Sequence, residues 1–271
     1  MDKFYYVTVA TGAGFIKTYS QWAVNSLLKT GVSPENVHFI GKDRKDIRLV
    51  RRLCPDLVNL HRVKEKLEHV KWQYHGGKRK YSLFKSGALY KTFPQPYADR
   101  YMVYFDGDVL WYKNPTPFFT TKCEKTWFHH GKDLAKRASI SRKKVRLDNI
   151  ESLSKWVSLP MAHLMIKHKA KKLPQREVVS GLYLLHPRDH AAVLKLTHEG
   201  CLENADKFIR HEGAGEQKPM NAALAILNVD WHGGSRFFCP EHKEYFDHFF
   251  GAKDMKKRFL KKLKEQVYRW R

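Results

Sequence analysis

Two carboxylates one residue apart, Asp106 and Asp108, follow an apolar run from Tyr101 to Phe105 in the stretch YMVYFDGDVLWYKNPTPFF (101–119). Two aspartates are costly to bring together without a cation. Their hard oxygens suit Mn²⁺ or Mg²⁺, above all when a phosphate completes the shell. The run before them is short and rich in aromatic and β-branched residues, which suits a buried strand. In open α/β sheets ligands bind beyond the carboxyl ends of such strands. The competing reading is a solvated turn, because Asp-Gly-Asp is good turn chemistry. The strand before it, and Val109-Leu110-Trp111 with Asn114-Pro115 after it, favour the metal site.

The elements that must hold these groups follow from the hydrophobic pattern. Residues 4–10 (FYYVTVA) read as a first strand, 11–14 (TGAG) as a turn, and Ile16 to Leu28 as a helix. A second strand is expected over Asn36 to Ile40, and helices or helical turns over Asp46 to Leu53 and Val63 to Val70. Tyr81 to Thr92 reads as the helix before the double-Asp strand. Such alternation implies an α/β fold with a mostly parallel sheet flanked by helices. Residues 131–176 are polar and basic, and suggest helices with a mobile loop. Glu177 to His186 returns to strand character, and Lys218 to Leu227 is helical, its start limited by Pro219. Val229 to Phe238 reads as irregular or strand, with Gly233-Gly234 as a turn.

The chain has 271 residues, with 51 basic and 27 acidic, a net charge of +24. Such a balance attracts anions: nucleic acid, acidic lipid surfaces or phosphorylated small molecules. The four cysteines have no paired spacing, which argues against a zinc site or a disulfide framework and fits a reducing compartment. The N-terminus reads as a strand rather than a signal peptide, so a cytoplasmic protein is expected, with peripheral membrane contact as an option. The final stretch, 253–271, carries nine basic and two acidic residues, with Met255, Phe259, Leu263, Val267 and Trp270 at roughly helical intervals. It reads either as a basic amphipathic helix for an anionic membrane or as a terminal helix packed on the domain by its apolar stripe. The expected organisation is one domain over 1–252 and this tail over 253–271.

Five segments occur in one order: 6–15 (YVTVATGAGF), 101–119, 180–185 (SGLYLL), 216–221 (EQKPMN) and 248–253 (HFFGAK). Together they resemble the GT-A glycosyltransferases, most closely glycosyltransferase family 8. The resemblance spans most of the chain. It implies a Rossmann-like GT-A fold and transfer of a sugar from a nucleotide-diphosphate donor, expected to be UDP-linked, with retention of configuration. The acceptor would be a glycan, glycolipid or glycoprotein. It implies that Asp106, Asp108 and His248 hold Mn²⁺ or Mg²⁺, with Gly107 between the aspartates where the family often has alanine. Gly251 matches the family's His-x-x-Gly-x-x-Lys pattern, and Lys253, one residue short of the usual spacing, would contact the diphosphate. Thr8, Ala10 and Thr11 would approach the nucleoside, and Phe15 falls where a stacking tyrosine is common. Lys85 would lie close to the diphosphate and the donor sugar. Ser180 and Gly181 resemble a small-residue turn near the sugar, although Val179 replaces the usual Asn or Asp. Glu216 and Gln217 resemble the Asp-Gln pair beneath the reacting face. Gln217 is a weak nucleophile, and Glu216 could serve as nucleophile or base.

Rival readings have less support. Gly12-Ala13-Gly14 follows a strand as a dinucleotide fingerprint does, but Lys17 stands where the third glycine belongs. A metal-dependent nucleotidyltransferase would want a second acidic pair after Gly234-Ser235, and none follows. A nucleic-acid-binding protein fits the charge, but no zinc finger or RNP motif appears. The adjacent pair His129-His130 suggests a loop or core role, since neighbours on a strand point apart.

Overall fold

The computed structural model describes residues 3–63, 78–93, 97–136, 138–207, 215–235, 243–249 and 255–269. Seven strands form one sheet in the order β3-β2-β1-β4-β7-β6-β8. They are β1 (Phe4–Ala10), β2 (Val37–Gly41), β3 (Asn59–Arg62), β4 (Tyr101–Phe105), β6 (Thr126–Asp133), β7 (Arg176–Leu185) and β8 (Trp231–Ser235). A two-stranded sheet joins β5 (Val109–Trp111) to β9 (Phe246–His248). Within the large sheet β7 alone runs against its neighbours, pairing antiparallel with β4 and β6. The remaining pairings are parallel. The mostly parallel α/β expectation is met.

Strand β1 shows why helices must cover both faces. Phe4, Tyr6 and Ala10 face one core with Ile16, Val24, Leu27 and Trp111, while Tyr5, Val7 and Val9 face a second with Phe84, Leu89, Met220 and Leu224. A strand apolar on both sides belongs inside a layered sheet. The first core is covered by α1 (Ala13–Phe15), which continues through a π-helical turn, Ile16–Ser20, into α2 (Gln21–Lys29). It also meets α3 (Arg44–Leu53) and α5 (Thr116–Thr120). The second is covered by α4 (Lys78–Thr92), α8 (Pro187–Lys207) and α9 (Gln217–Ile226).

Several expectations are corrected. Gly233-Gly234 is not a turn; it lies inside β8, where Gly233 stands opposite Phe128. A Cβ at Gly233 would come within 2.2 Å of the Phe128 carbonyl oxygen, so close strand approach rather than turning requires the glycine. The basic stretch 131–176 begins as the end of β6. It then packs as a unit: α6 (Ile150–Ser154) and α7 (Leu159–Lys167) enclose Leu153, Trp156, Met161 and Met165. Pro219 does not delay its helix. As the third residue of α9 it sits in the first turn, where backbone N–H groups have no helical partner. Of the helix expected over Val63 to Val70, residues 64–70 lie outside the described residues, and β3 precedes them.

The last helix, α10 (Met255–Arg269), buries Phe259 and Leu263 against Tyr19, Leu110 and Phe249. Its apolar stripe therefore faces the protein, and Lys256, Lys257, Lys261 and Lys264 face outward. Of the two readings of the tail, the packed helix is the one observed. Among the described residues no helix is long and apolar enough to cross a membrane.

Candidate metal and donor site

Asp106 and Asp108 leave the carboxyl end of β4 in a tight turn closed by the Val109 N–H donating to the Asp106 carbonyl at 3.2 Å. The chain then re-enters as β5, and β5 aligns the third group. Val109 stands opposite His248 in the antiparallel pair with β9, and the Phe249 N–H donates to the Asp108 carbonyl at 3.1 Å. Asp106, Asp108 and His248 each offer a ligand atom within 4.8 Å of the others. His248 Nε2 lies 3.5 Å from Asp108 Oδ1, a buried oxygen that accepts no hydrogen bond among the described residues.

Strand β7 makes room for the imidazole. Phe128 pairs with Tyr183 and His130 with Val179, so His129 alone faces residues 180–182. The resulting bulge bends β7 and re-aims its side chains. At its centre the Gly181 carbonyl accepts the Asp106 N–H at 2.7 Å. A Cβ on Gly181 would fall 2.4 Å from His248 Cε1 and 3.0 Å from Asp106 Oδ2, so only glycine leaves the ligand cluster intact. His129 reaches the same cluster, its Nδ1 3.4 Å from His248 Nδ1. Sequence reasoning assigned it a loop or core role, because neighbours on a strand point apart; its proximity to His248 arises only when β6 and β9 meet.

On the other side of Asp106 lies Lys85 of α4, buried together with its charge. Its ammonium donates to Asp106 Oδ1 at 3.1 Å, to Glu216 Oε1 at 2.9 Å and to the Ser180 carbonyl at 3.3 Å. Those contacts engage all three of its N–H donors. Burial alone would depress the Lys85 pKa, but Asp106 and Glu216 more than reverse this and raise it well above the usual value. Burial likewise opposes the charge on Glu216, yet Lys85 draws that carboxyl down to about 2. The Ser180 hydroxyl adds a hydrogen bond to Glu216 Oε1 at 2.9 Å. For Asp106 burial dominates and raises the pKa; Lys85 opposes it and Asp108 adds to it. The Tyr104 hydroxyl donates to Asp106 Oδ1 at 2.5 Å. Two carboxylates, Asp106 and Glu216, thus share one ammonium, while the third, Asp108, lies on the side of His248. The donor set, the orphaned Asp108 oxygen and the space held open by Gly181 fit a hard divalent cation.

The other expected positions divide. Thr8 and Ala10 are wholly buried in β1, Ala10 as its last residue. Thr11 begins the loop beyond, and Phe15 is partly exposed, its ring beside Gly107 and 5.2 Å from that of Tyr19. Gly107 is packed between Phe15 and Ser20. Gln217 opens α9 next to Glu216 and is half-buried; its carbonyl accepts from Asn221 at 2.7 Å. Gly251 and Lys253 lie outside the described residues. Sequence reasoning missed Asp46, which shapes this rim. Asp43 caps α3 by accepting from the backbone of Lys45 and Asp46, and this seats the Asp46 carboxylate. It accepts from Gly12 N at 3.1 Å and Lys42 N at 3.2 Å, tying together the loops after β1 and β2.

No family profile and no curated protein matches the chain. Solved structures do. The galactosyltransferase LgtC, in complex with donor and acceptor sugar analogues, aligns with 14% identity over 96% of this chain and 95% of that one, with a TM-score of 0.53. An active-site mutant of LgtC aligns over the same shares with 14% identity and a TM-score of 0.51. Mouse xyloside xylosyltransferase 1, apo form, aligns with 12% identity over 96% and 94%, with a TM-score of 0.47. The chain has the GT-A glycosyltransferase fold. The resemblance read from its motifs is matched by an architecture that spans nearly the whole length of both LgtC and this protein.

Proposed function

We propose that the protein is a metal-dependent glycosyltransferase. It moves a sugar from a nucleotide-diphosphate donor, UDP-linked in our reading, to a glycan, lipid or protein acceptor with retention. The observation that carries this reading is the convergence of Asp106, Asp108 and His248 at the carboxyl edge of the sheet. These three would hold Mn²⁺ or Mg²⁺. When bound, the ion supplies positive charge against the departing diphosphate, where negative charge grows during transfer.

The rest falls to the chain's own groups. Thr11 and the exposed Phe15 ring receive the nucleoside, at the loop beyond the buried Thr8 and Ala10 of β1. Gly107 lets Phe15 and Ser20, and Gly181 lets His248, close in around the turn that would face the diphosphate and sugar. Lys253 adds a cation on the phosphate side. Lys85 has every donor engaged and acts through its partners: it fixes the Asp106 carboxylate and holds Glu216 ionised. An ionised Glu216 has no proton to give, so its roles are to stabilise positive charge on the reacting sugar or to attack it, with Ser180 orienting it and Gln217 alongside. The lysines on the outer face of α10 are the groups able to meet an anionic membrane surface, since the apolar stripe of that helix is already covered.

A panel of sugar nucleotides incubated with Mn²⁺, with and without a chelator, tests the reading through released nucleoside diphosphate. One donor should be hydrolysed slowly even without acceptor, and chelation should stop it. The Asp108→Ala variant should lose this turnover while keeping its thermal stability in chelator, because the change relieves repulsion with Asp106. Undiminished turnover in that variant would overturn the assignment.

A further inference from the structure

Of the three candidate ligands, His248 is the one whose aim needs a cause. Asp106 and Asp108 follow β4 of the large sheet, whereas His248 stands on β9 of the two-stranded sheet. Its two ring nitrogens have different neighbours. Nε2 belongs to the carboxylate side: it lies 3.5 Å from Asp108 Oδ1, and a Cβ at Gly181 would be 2.7 Å from it and 3.0 Å from Asp106 Oδ2. Nδ1 instead meets Nδ1 of His129, on β6, at 3.4 Å.

A neutral imidazole carries its proton on one nitrogen, and only the other can bind a cation. For Nε2 to offer its lone pair beside the aspartates, the His248 proton must sit on Nδ1. A buried N–H needs an acceptor, and His129 Nδ1 stands at that place. His129 then keeps its own proton on Nε2. Its ring is well fixed for the task. It is buried, with Phe246 of β9 edge-on to it at 5.2 Å between ring centres and Trp127 of β6 at 6.1 Å. Its place follows from the bulge, since His129 alone faces residues 180–182 of β7. The contact also bridges the sheets: a ligand borne by the small sheet is set against the large sheet that delivers the aspartates.

We infer that His129 is a positioning residue for the metal centre: it accepts the Nδ1 proton of His248 and thereby fixes the nitrogen and the ring rotation presented to the carboxylates. This rests on the metal-dependent reading above and adds a residue that lies outside its ligand set. A partner of this kind orients a ligating histidine and raises its basicity. A ring that merely filled space would be replaceable by any side chain of similar volume.

Calorimetric titration of the full chain with Mn²⁺ alone tests the inference without any turnover. His129→Leu keeps much of the volume and removes the acceptor, so affinity should fall about 10–100-fold. His129→Asn sets an amide oxygen near the Nδ1 position and should recover most of that loss. Parental affinity in His129→Leu overturns the inference, as does a His129→Asn variant as weak as His129→Leu. A second measurement does not depend on how the leucine variant folds. In the Mg²⁺-saturated parent labelled with ¹⁵N-histidine, the His129 signals, identified by their loss in His129→Asn, should show the proton on Nε2. A proton on Nδ1 there overturns the inference. A parent protein that binds no Mn²⁺ counts against the metal-dependent reading, whereas equal binding by parent and His129→Leu counts against the positioning role alone.

Discussion

At the scale of single residues, Gly181 has the least freedom to change. An alanine there puts a methyl group into the His248 ring, so Gly181→Ala should weaken Mn²⁺ binding by about 10–100-fold, the range seen when the surroundings of a metal ligand are disturbed. Titration of the purified variant with Mn²⁺, followed by calorimetry, measures this directly. Lys85 makes the opposite kind of prediction, about stability. Removing a buried ammonium strands Asp106 and Glu216, and Lys85→Ala should cost about 3–5 kcal/mol in urea unfolding. A loss below about 1 kcal/mol would mean that solvent already compensates those carboxylates. The aspartates were legible from sequence because strand, double acid and apolar return lie within a few residues. His129 and Asp46 were not. Each acts on atoms more than thirty positions away, and nothing local marks a histidine inside β6 or an aspartate in the first turn of α3 as part of a site.

At the scale of elements, what the pattern conveyed and what it hid have a common cause. Strands β1, β4 and β7 are apolar on both faces and announce themselves as buried sheet. Strand β6 mixes His129, His130, Gly131, Lys132 and Asp133, so its second half reads as polar loop; pairing with β7 on one side and β8 on the other makes it a strand. Gly233-Gly234 carried a turn signal that tertiary pairing overrode. The antiparallel insertion of β7 into a parallel sheet is also silent in sequence, because orientation leaves no mark on hydrophobic alternation. For α10 the periodicity was visible but its partner was not. Phe259 is wholly buried against Tyr19, 5.0 Å between ring centres, and Phe249, 5.4 Å. Phe259→Ala should cost about 3–5 kcal/mol of stability, checked by chemical denaturation. If α10 merely rested on the surface, the change would be near neutral.

At the scale of the whole molecule, acid should unfold the protein through its buried histidines. His38 sits among Tyr5, His61, Phe93 and Tyr97, and burial first, then His61 and Arg100, lowers its pKa to about 3. Burial brings His198 to about 4. Both are neutral when folded and protonate near pH 6.5 once unfolded. Their stabilising contribution is complete above pH 6.5 and declines as pH falls toward 4, each by about 1.4 kcal/mol per pH unit. Denaturation midpoints between pH 8 and pH 4 should show this slope, and His38→Phe should flatten it. The metal cluster is joined to the far end of the chain as well. His248 belongs to a two-stranded sheet whose Leu110 rests on Phe259 and Leu263. Trimming the lysine-rich end to ease purification or crystal growth would take the floor from beneath that sheet, and a shortened version would keep the large sheet while loosening the strand that carries His248.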